Sequence, residues 1–206
     1  MIMKHLNLRL YLVTDEYCLP SGRNLFDAVE EALQAGVTLV QYREKNGPGK
    51  SMLEKSRKLI ALCHKYNVPL LVNDRLDIAL LSGADGVHLG QDDIPAAEAR
   101  RLAGENFLIG ATAHNVEEAL AAEAAGADYL GCGAVFATHT KKDTVPLGLD
   151  GLQAIRQAVR IPIAGIAGIT TENYQQVLGT GADGVAVVSG ILGAECIRDS
   201  VIRFLR

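Results

Sequence analysis

Three phrases in the chain are variants of one another: SGADGVHLG from Ser82, AGADYLGCG from Ala125 and TGADGVAVV from Thr180. AGVTLVQYR, from Ala35, echoes them. A glycine, a short turn and then an apolar run is the pattern of a helix C-cap leading into a buried strand. The four glycines, Gly36, Gly83, Gly126 and Gly181, recur at intervals of about two βα units, so the chain repeats one supersecondary plan.

The runs between the repeats follow that plan. LRLYLVT, TLVQYR, PLLVND, DGVHLG, FLIGATA, DYLGCGAVF, IPIAGIAG and DGVAVVS are strand candidates. The helical stretches are NLFDAVEEALQAG, SMLEKSRKLIALCHKYN, RLDIALLSG, IPAAEARRLAG, NVEEALAAEAAG, DGLQAIRQAV, TENYQQVLGTG and GILGAECIRDSVIRFL. Asn24 is placed to cap the first helix, and Ser51 with Glu54 has the spacing of a capping box at the second. Strands that are apolar throughout and alternate with helices predict a parallel sheet with helices packed outside. Eight such units closing on themselves give an α/β fold, a single (β/α)8 TIM barrel domain over residues 1–206. An open doubly wound sheet typically has fewer strands and a G-x-G-x-x-G turn, which this chain lacks.

Composition removes several function classes. The net charge of −4 gives no general electrostatic basis for nucleic-acid binding, so any anion site is a local cluster. Cys18, Cys63, Cys132 and Cys196 are far apart and form no C-x-x-C pair, which argues against a zinc or redox motif. No apolar run is long enough to cross a membrane, and MIMKHLNLRLYLVTDE is too short and interrupted for a signal peptide. Reduced thiols and a cytoplasmic location are the expectation. Nothing in the patterning specifies an oligomeric state.

Barrel active sites lie at the C-terminal strand ends. The residues there are Gln41, Arg43 and Lys45 after the second strand, Asn73 and Asp74 after the third, and Gln91, Asp92 and Asp93 after the fourth. Thr112 and His114 follow the fifth, and Thr138, Thr140, Lys141 and Lys142 the sixth. Gly165 and Gly168 end the seventh, Ser189 and Gly190 the eighth. Loops after strands seven and eight commonly bind phosphate, so Gly168 and Ser189 are candidates; a turn glycine and a helix cap are the plainer roles. Arg43, Lys45 and Lys141 near Asp74 and Asp93 suggest Mg2+ completed by phosphate oxygens. The plainer alternative is that Asp74 and Asp93 cap the helices that follow them. His88 reads as a satisfied core residue, and His114 as a rim residue without an assigned role. No protein nucleophile is evident.

Six motifs in order and spacing, VQYREK, VNDRLDIALLSGADGVHLGQDD, IGATAH, THTKKD, GIAGIT and GADGVAVVSGI, carry a resemblance over nearly the whole chain. The chain resembles the thiamine-phosphate synthase family of (β/α)8 transferases. Those enzymes join 4-amino-2-methyl-5-hydroxymethylpyrimidine diphosphate to a thiazole phosphate with Mg2+, releasing pyrophosphate. The resemblance implies that Gln41, Tyr42, Arg43, Glu44, Lys45, Asn73, Thr112 and Lys141 hold the pyrimidine diphosphate. It implies Thr138, His139, Thr140, Gly168, Val188 and Ser189 for the thiazole phosphate, and Asp74 and Asp93 for the metal. Arg43, Lys45 and Lys141 would carry the catalytic charge. The expected ligands are small molecules, with neither nucleic acid nor membrane as partner.

The sequence departs from the family pattern at Thr112, where Ser is commoner, at Ala167, where a second Gly is usual, at Ala137, where Pro is frequent, and at Tyr42, where Leu or Phe is often found. None removes a charged group. The rivals are a thiazole tautomerase of the same fold and a non-catalytic phosphate-binding barrel; the retained Asn73-Asp74, Gln91 to Asp93 and REK favour the synthase.

Overall fold

The structure, a computed structural model, describes residues 6–138 and 146–206. Its strands are β1 (Leu10–Val13), β2 (Leu39–Tyr42), β3 (Leu70–Asn73), β4 (Gly86–Leu89), β5 (Leu108–Ala113), β6 (Tyr129–Cys132), β7 (Ile163–Ile166) and β8 (Gly184–Val187). They pair in parallel in sequence order, and β1 also pairs with β8, so the sheet closes into the expected (β/α)8 barrel. The helices are α1 (Leu25–Ala35), α2 (Gly49–Lys65), α3 (Leu76–Ser82), α4 (Ala96–Ala103), α5 (Val116–Ala124), α6 (Gly148–Ala158), α7 (Tyr174–Gly179), α8 (Ser189–Leu192) and α9 (Ile197–Phe204).

The uniformly apolar strands serve two separate cores. Side chains alternate across a sheet, so every second residue faces the lumen. Tyr11, Val13, Leu39, Leu71, Leu108, Tyr129, Ala164 and Ala186 pack together inside the barrel. Their neighbours Leu10, Leu12, Val40, Tyr42, Leu70, Val72, Ile109, Leu130, Ile163, Val185 and Val187 join the larger core beneath the helices.

The repeated phrase has a physical explanation at two positions. Gly36 and Gly83 cap α1 and α3 in the left-handed conformation, at φ 116° and 77°. Gly126 and Gly181 hold the same conformation one residue after the caps of α5 and α7. The aspartates then do one job three times. Asp85, Asp128 and Asp183 accept the backbone N–H groups of Leu70, Ile109 and Ile163 at 2.8, 2.7 and 2.9 Å, each tying the entry of its own strand to the strand before it. Each also meets a helix cation or imidazole: His64 at 2.9 Å, Arg100 at 2.7 Å and Arg156 at 2.9 Å.

Two local expectations are corrected. Asn24 caps α1 as expected, accepting from Asp27 N at 3.0 Å, but the capping box at Ser51 and Glu54 does not form. Proline fixes φ near −65° and suits a helix entrance; α2 starts at Gly49 with Pro48 as its N-cap, which leaves Ser51 inside the helix. The last helical stretch is also two helices rather than one. Gly193 closes α8 after a single turn, and Cys196, extended at φ −123° and ψ 105°, begins α9. Among the described residues no helix is long and apolar enough to cross a membrane.

Candidate active site

The C-terminal ends of the strands open onto one cavity of about 430 Å3. Its wall brings together Gln41, Arg43, Lys45, Asn73, Asp74, Asp93, Thr112, Thr138, Gly168, Val188 and Ser189. His139, Thr140 and Lys141 lie outside the described residues. Tyr42 and Glu44 send their side chains elsewhere. Gln41 faces the lumen, so Tyr42, its neighbour in the strand, points outward into the core beneath the helices. Its hydroxyl donates to Glu44, which also holds Lys55 at 3.0 Å.

One wall is charged. Lys45 Nζ lies 2.5 Å from Asp74 Oδ2. Arg43 Nη1 lies 2.8 Å from Asp15 Oδ2, and Arg43 N donates to Thr14 Oγ1 at 2.9 Å. Asp74 and Asp93 face each other within hydrogen-bonding reach, and Asp93 Oδ2 accepts from Gly90 N at 2.7 Å. Burial raises the Asp74 carboxyl, but Lys45 and Asp93 outweigh it and hold the group below the usual carboxylate range. Burial and the adjacent Asp74 push the Asp93 carboxyl up. The two carboxylates thus oppose each other's ionisation, and Lys45 offsets part of that repulsion.

Neither carboxylate is a helix cap. The N-cap of α3 is Arg75 and that of α4 is Pro95, both without a side-chain cap bond. Asp74 instead adopts φ 62°, with its N–H donating to His88 O at 2.8 Å. Aspartate tolerates this left-handed geometry better than most residues, and here it turns the carboxylate into the cavity.

Among the described residues the opposite wall is neutral and largely backbone. Ala167 and Gly168 both have positive φ, 81° and 65°. A Cβ on Gly168 would lie 2.4 Å from Ala137 O and 2.7 Å from Phe136 Cβ, so the loop after β7 presses directly on the segment after β6. Asn173 fastens that loop, donating to Gly168 O at 2.9 Å and accepting from Thr170 N at 2.8 Å. Ser189 opens the short helix α8 at the same wall.

Three groups were not assigned from sequence. His114, in the wall, is held by Glu118, whose Oε2 accepts from His114 N at 2.8 Å and lies 2.9 Å from Nδ1. The four-residue spacing within α5 and its entrance was the available signal. Tyr11 and Tyr129 are the others; they lie in the lumen with hydroxyls 2.7 Å apart. No cysteine lines the cavity, and the two buried thiols are poor nucleophiles. Burial pushes Cys132 up to about 12, with Arg156 opposing, and pushes Cys63 up to about 12, with Asp85 adding to it.

Among the described residues no group of three or more His, Cys, Asp and Glu side chains gathers as a metal cage. Two facing carboxylates are the donor set Mg2+ accepts when waters and substrate phosphates complete its shell.

A family model described as thiamine monophosphate synthase matches residues 10–191. The chain is similar to a protein named thiamine-phosphate synthase from Clostridium acetobutylicum, 48% identical over 197 residues that cover 96% of this chain and 93% of that one. A thiamine-phosphate synthase of Chloroflexus aurantiacus is 53% identical over 188 residues, covering 91% and 86%. Among solved structures, a thiamine phosphate pyrophosphorylase from Pyrococcus furiosus superposes with a TM-score of 0.89 at 42% identity, over 97% of this chain and 95% of that one. A 3-hexulose-6-phosphate synthase, at 17% identity and a TM-score of 0.65, shares the fold.

Proposed function

The chain belongs to the thiamine monophosphate synthase family, and on that premise we propose that it is a cytoplasmic transferase joining 4-amino-2-methyl-5-hydroxymethylpyrimidine diphosphate to a thiazole phosphate, with release of pyrophosphate. The observation that carries this reading is the two-sided cavity. A cationic and acidic wall after β2 to β4 faces a glycine and serine wall after β7 and β8. A condensation of two anionic substrates requires two such sites at one centre.

In this reading Gln41, Arg43, Lys45, Asn73 and Thr112 hold the pyrimidine diphosphate, and the resemblance adds Lys141. Gly168, Val188, Ser189 and Thr138 hold the thiazole phosphate. Asp74 and Asp93 hold Mg2+, which when bound supplies positive charge to the diphosphate oxygens. The raised Asp93 carboxyl supports the fit, because a cation at the pair would relieve the repulsion between the two carboxylates.

The chemistry asks for charge rather than a nucleophile. As the carbon–oxygen bond to pyrophosphate stretches, negative charge grows on the leaving group. Arg43 and Lys45 stabilise that charge most when it is fully developed, which lowers the barrier rather than only tightening substrate binding. Asp15 holds one guanidinium nitrogen of Arg43 and so fixes the direction of the others. The aminopyrimidine ring spreads the positive charge left on carbon, and the thiazole nitrogen, held in line from the opposite wall, captures it.

Purified protein, both substrates and Mg2+ should release pyrophosphate in step with thiamine phosphate. No pyrophosphate, together with a change in the thiazole spectrum when the thiazole alone is supplied, would favour an isomerase instead.

A further inference from the structure

At the floor of the cavity, five polar side chains from five strands form one unbroken line across the barrel. Gln41 Nε2 donates to the Tyr11 hydroxyl. Tyr11 and Tyr129 hydroxyls are 2.7 Å apart. The Tyr129 hydroxyl is 2.8 Å from His88 Nδ1, and His88 Nε2 is 3.0 Å from Thr112 Oγ1. Tyr11 and Tyr129 are 1% and 0% exposed.

The strands make room for it. A Cβ on Gly110 would lie 2.2 Å from Tyr129 Cζ, and one on Gly131 would lie 3.0 Å from His88 Cε1. Glycine inside a strand weakens it and often marks a close approach. Here two strand glycines face the two rings that join the tyrosine pair to Thr112.

We propose that Tyr11, Tyr129 and His88 are a directed relay of positioning residues that holds the Thr112 hydroxyl as a donor into the cavity. The sense follows from proton counting. An amide nitrogen only donates, and a tyrosine has one hydrogen to give. Gln41 donates to Tyr11, and the arrangement that then leaves each buried hydroxyl hydrogen with a partner has Tyr11 giving its hydrogen to Tyr129 and Tyr129 giving its own to His88 Nδ1. The imidazole then carries its proton on Nε2 and donates it to Thr112 Oγ1. The Thr112 hydrogen is left for the cavity, whose wall contains that residue. A ring that accepts at Nδ1 and donates at Nε2 carries a single proton and is neutral. Buried bonds in series polarise one another, so the sense set at Gln41 carries to Thr112. The ligand group that Thr112 meets is therefore an acceptor, such as an unprotonated ring nitrogen or an anionic oxygen.

The first readout needs no substrate and so does not depend on the proposed activity. Nitrogen-15 NMR of the His88 ring should show one tautomer, protonated on Nε2. In Tyr129→Phe, and equally in Tyr11→Phe should the first variant not fold, both tautomers should appear. A ring protonated on Nδ1 in the native protein, or a tautomer untouched by either variant, overturns the proposal. The second readout rests on the synthase reading. Tyr129→Phe should lower kcat/KM for the pyrimidine diphosphate by roughly three- to tenfold, the worth of one hydrogen bond. In a Thr112→Val background the same change should cost nothing further, whereas Thr112→Ser should keep the full sensitivity. Equal losses in the two backgrounds would mean that the tyrosine acts on stability and not through Thr112.

Discussion

Asp74 and Asp93 face each other across the mouth of the barrel, and Lys45 lies against Asp74 at 2.5 Å. Asp74→Asn removes one charge of the pair and keeps a residue that accepts φ 62°. Activity at limiting Mg2+ should fall by about a hundredfold, the equivalent of about 3 kcal/mol of metal-assisted charge stabilisation. Saturating Mg2+ should restore part of it. Stability should change by less than about 1 kcal/mol, because the Lys45 pair is exposed on one side. Undiminished turnover across an Mg2+ titration would reduce Asp74 to a partner of Lys45.

The GAD aspartates are structural, and their variants should separate cleanly from the site. Asp128 accepts from Ile109 N and pairs with Arg100 at the barrel end opposite the cavity. Asp128→Ala strands the Ile109 N–H and takes the carboxylate from Arg100, which keeps the carbonyls of Gly104, Phe107 and Gly126, so unfolding in urea should show a loss of about 1–3 kcal/mol. Turnover per folded molecule should be unchanged. A stability loss below about 0.5 kcal/mol would mean that water replaces the carboxylate at no cost.

How much of this was legible in the sequence depends on range. The barrel was, because the GAD phrase packs a cap, a clamp and a strand entry into a few neighbouring residues. The charged rim was too, because a closed barrel puts all C-terminal strand ends on one face. The outward turn of Tyr42 follows from strand alternation once Gln41 is known to face inward, but the sequence alone does not say which of the two does. The tyrosine relay was illegible. Tyr11 and Tyr129 meet only because β1 and β6 lie across one lumen, and no local pattern links residues so far apart. The start of α2 was misread for a local reason: the Pro48 entrance prevailed over the Ser51 to Glu54 pattern.

Ala167 offers a prediction of opposite sign. It holds φ 81°, a region where a Cβ costs about 1–2 kcal/mol. Ala167→Gly removes that strain and adds the backbone freedom of glycine to the unfolded chain, an opposing term of up to about 1 kcal/mol. A net gain of about 0.5 kcal/mol in urea unfolding is expected, with kinetics preserved. A net loss would show that the Ala167 methyl makes contacts worth more than the strain.

Gly168 should behave in the reverse way. Any side chain there meets the backbone of Ala137 at 2.4 Å, and the positive φ adds strain. Gly168→Ala should destabilise the protein by about 1–3 kcal/mol and displace the segment after β6. In calorimetry, thiazole phosphate binding should weaken while pyrimidine diphosphate binding holds. Ser189→Ala should show the same selectivity in milder form, about 0.5–1.5 kcal/mol for one neutral hydrogen bond. Parallel losses for both ligands in the two variants would remove the division of the cavity into separate anion sites.

Arg43 tests whether shape matters at the charged wall, or charge alone. Its guanidinium gives Nη1 to Asp15 at 2.8 Å, and the residue lines the cavity. Lysine keeps the charge but is a point donor on a flexible stem, without the planar fork of a guanidinium. Arg43→Lys should therefore lower kcat and kcat/KM for the pyrimidine diphosphate together by about tenfold or more, the pattern of an interaction formed in the transition state. Lys45→Arg should be tolerated better, since Lys45 meets Asp74 through a single contact and is half exposed. Asp15→Asn supplies the cross-check. It leaves Arg43 charged but weakens its anchor, so its effect should shrink in the Arg43→Lys background. Full activity in Arg43→Lys would mean that net positive charge is all the leaving group needs from this position.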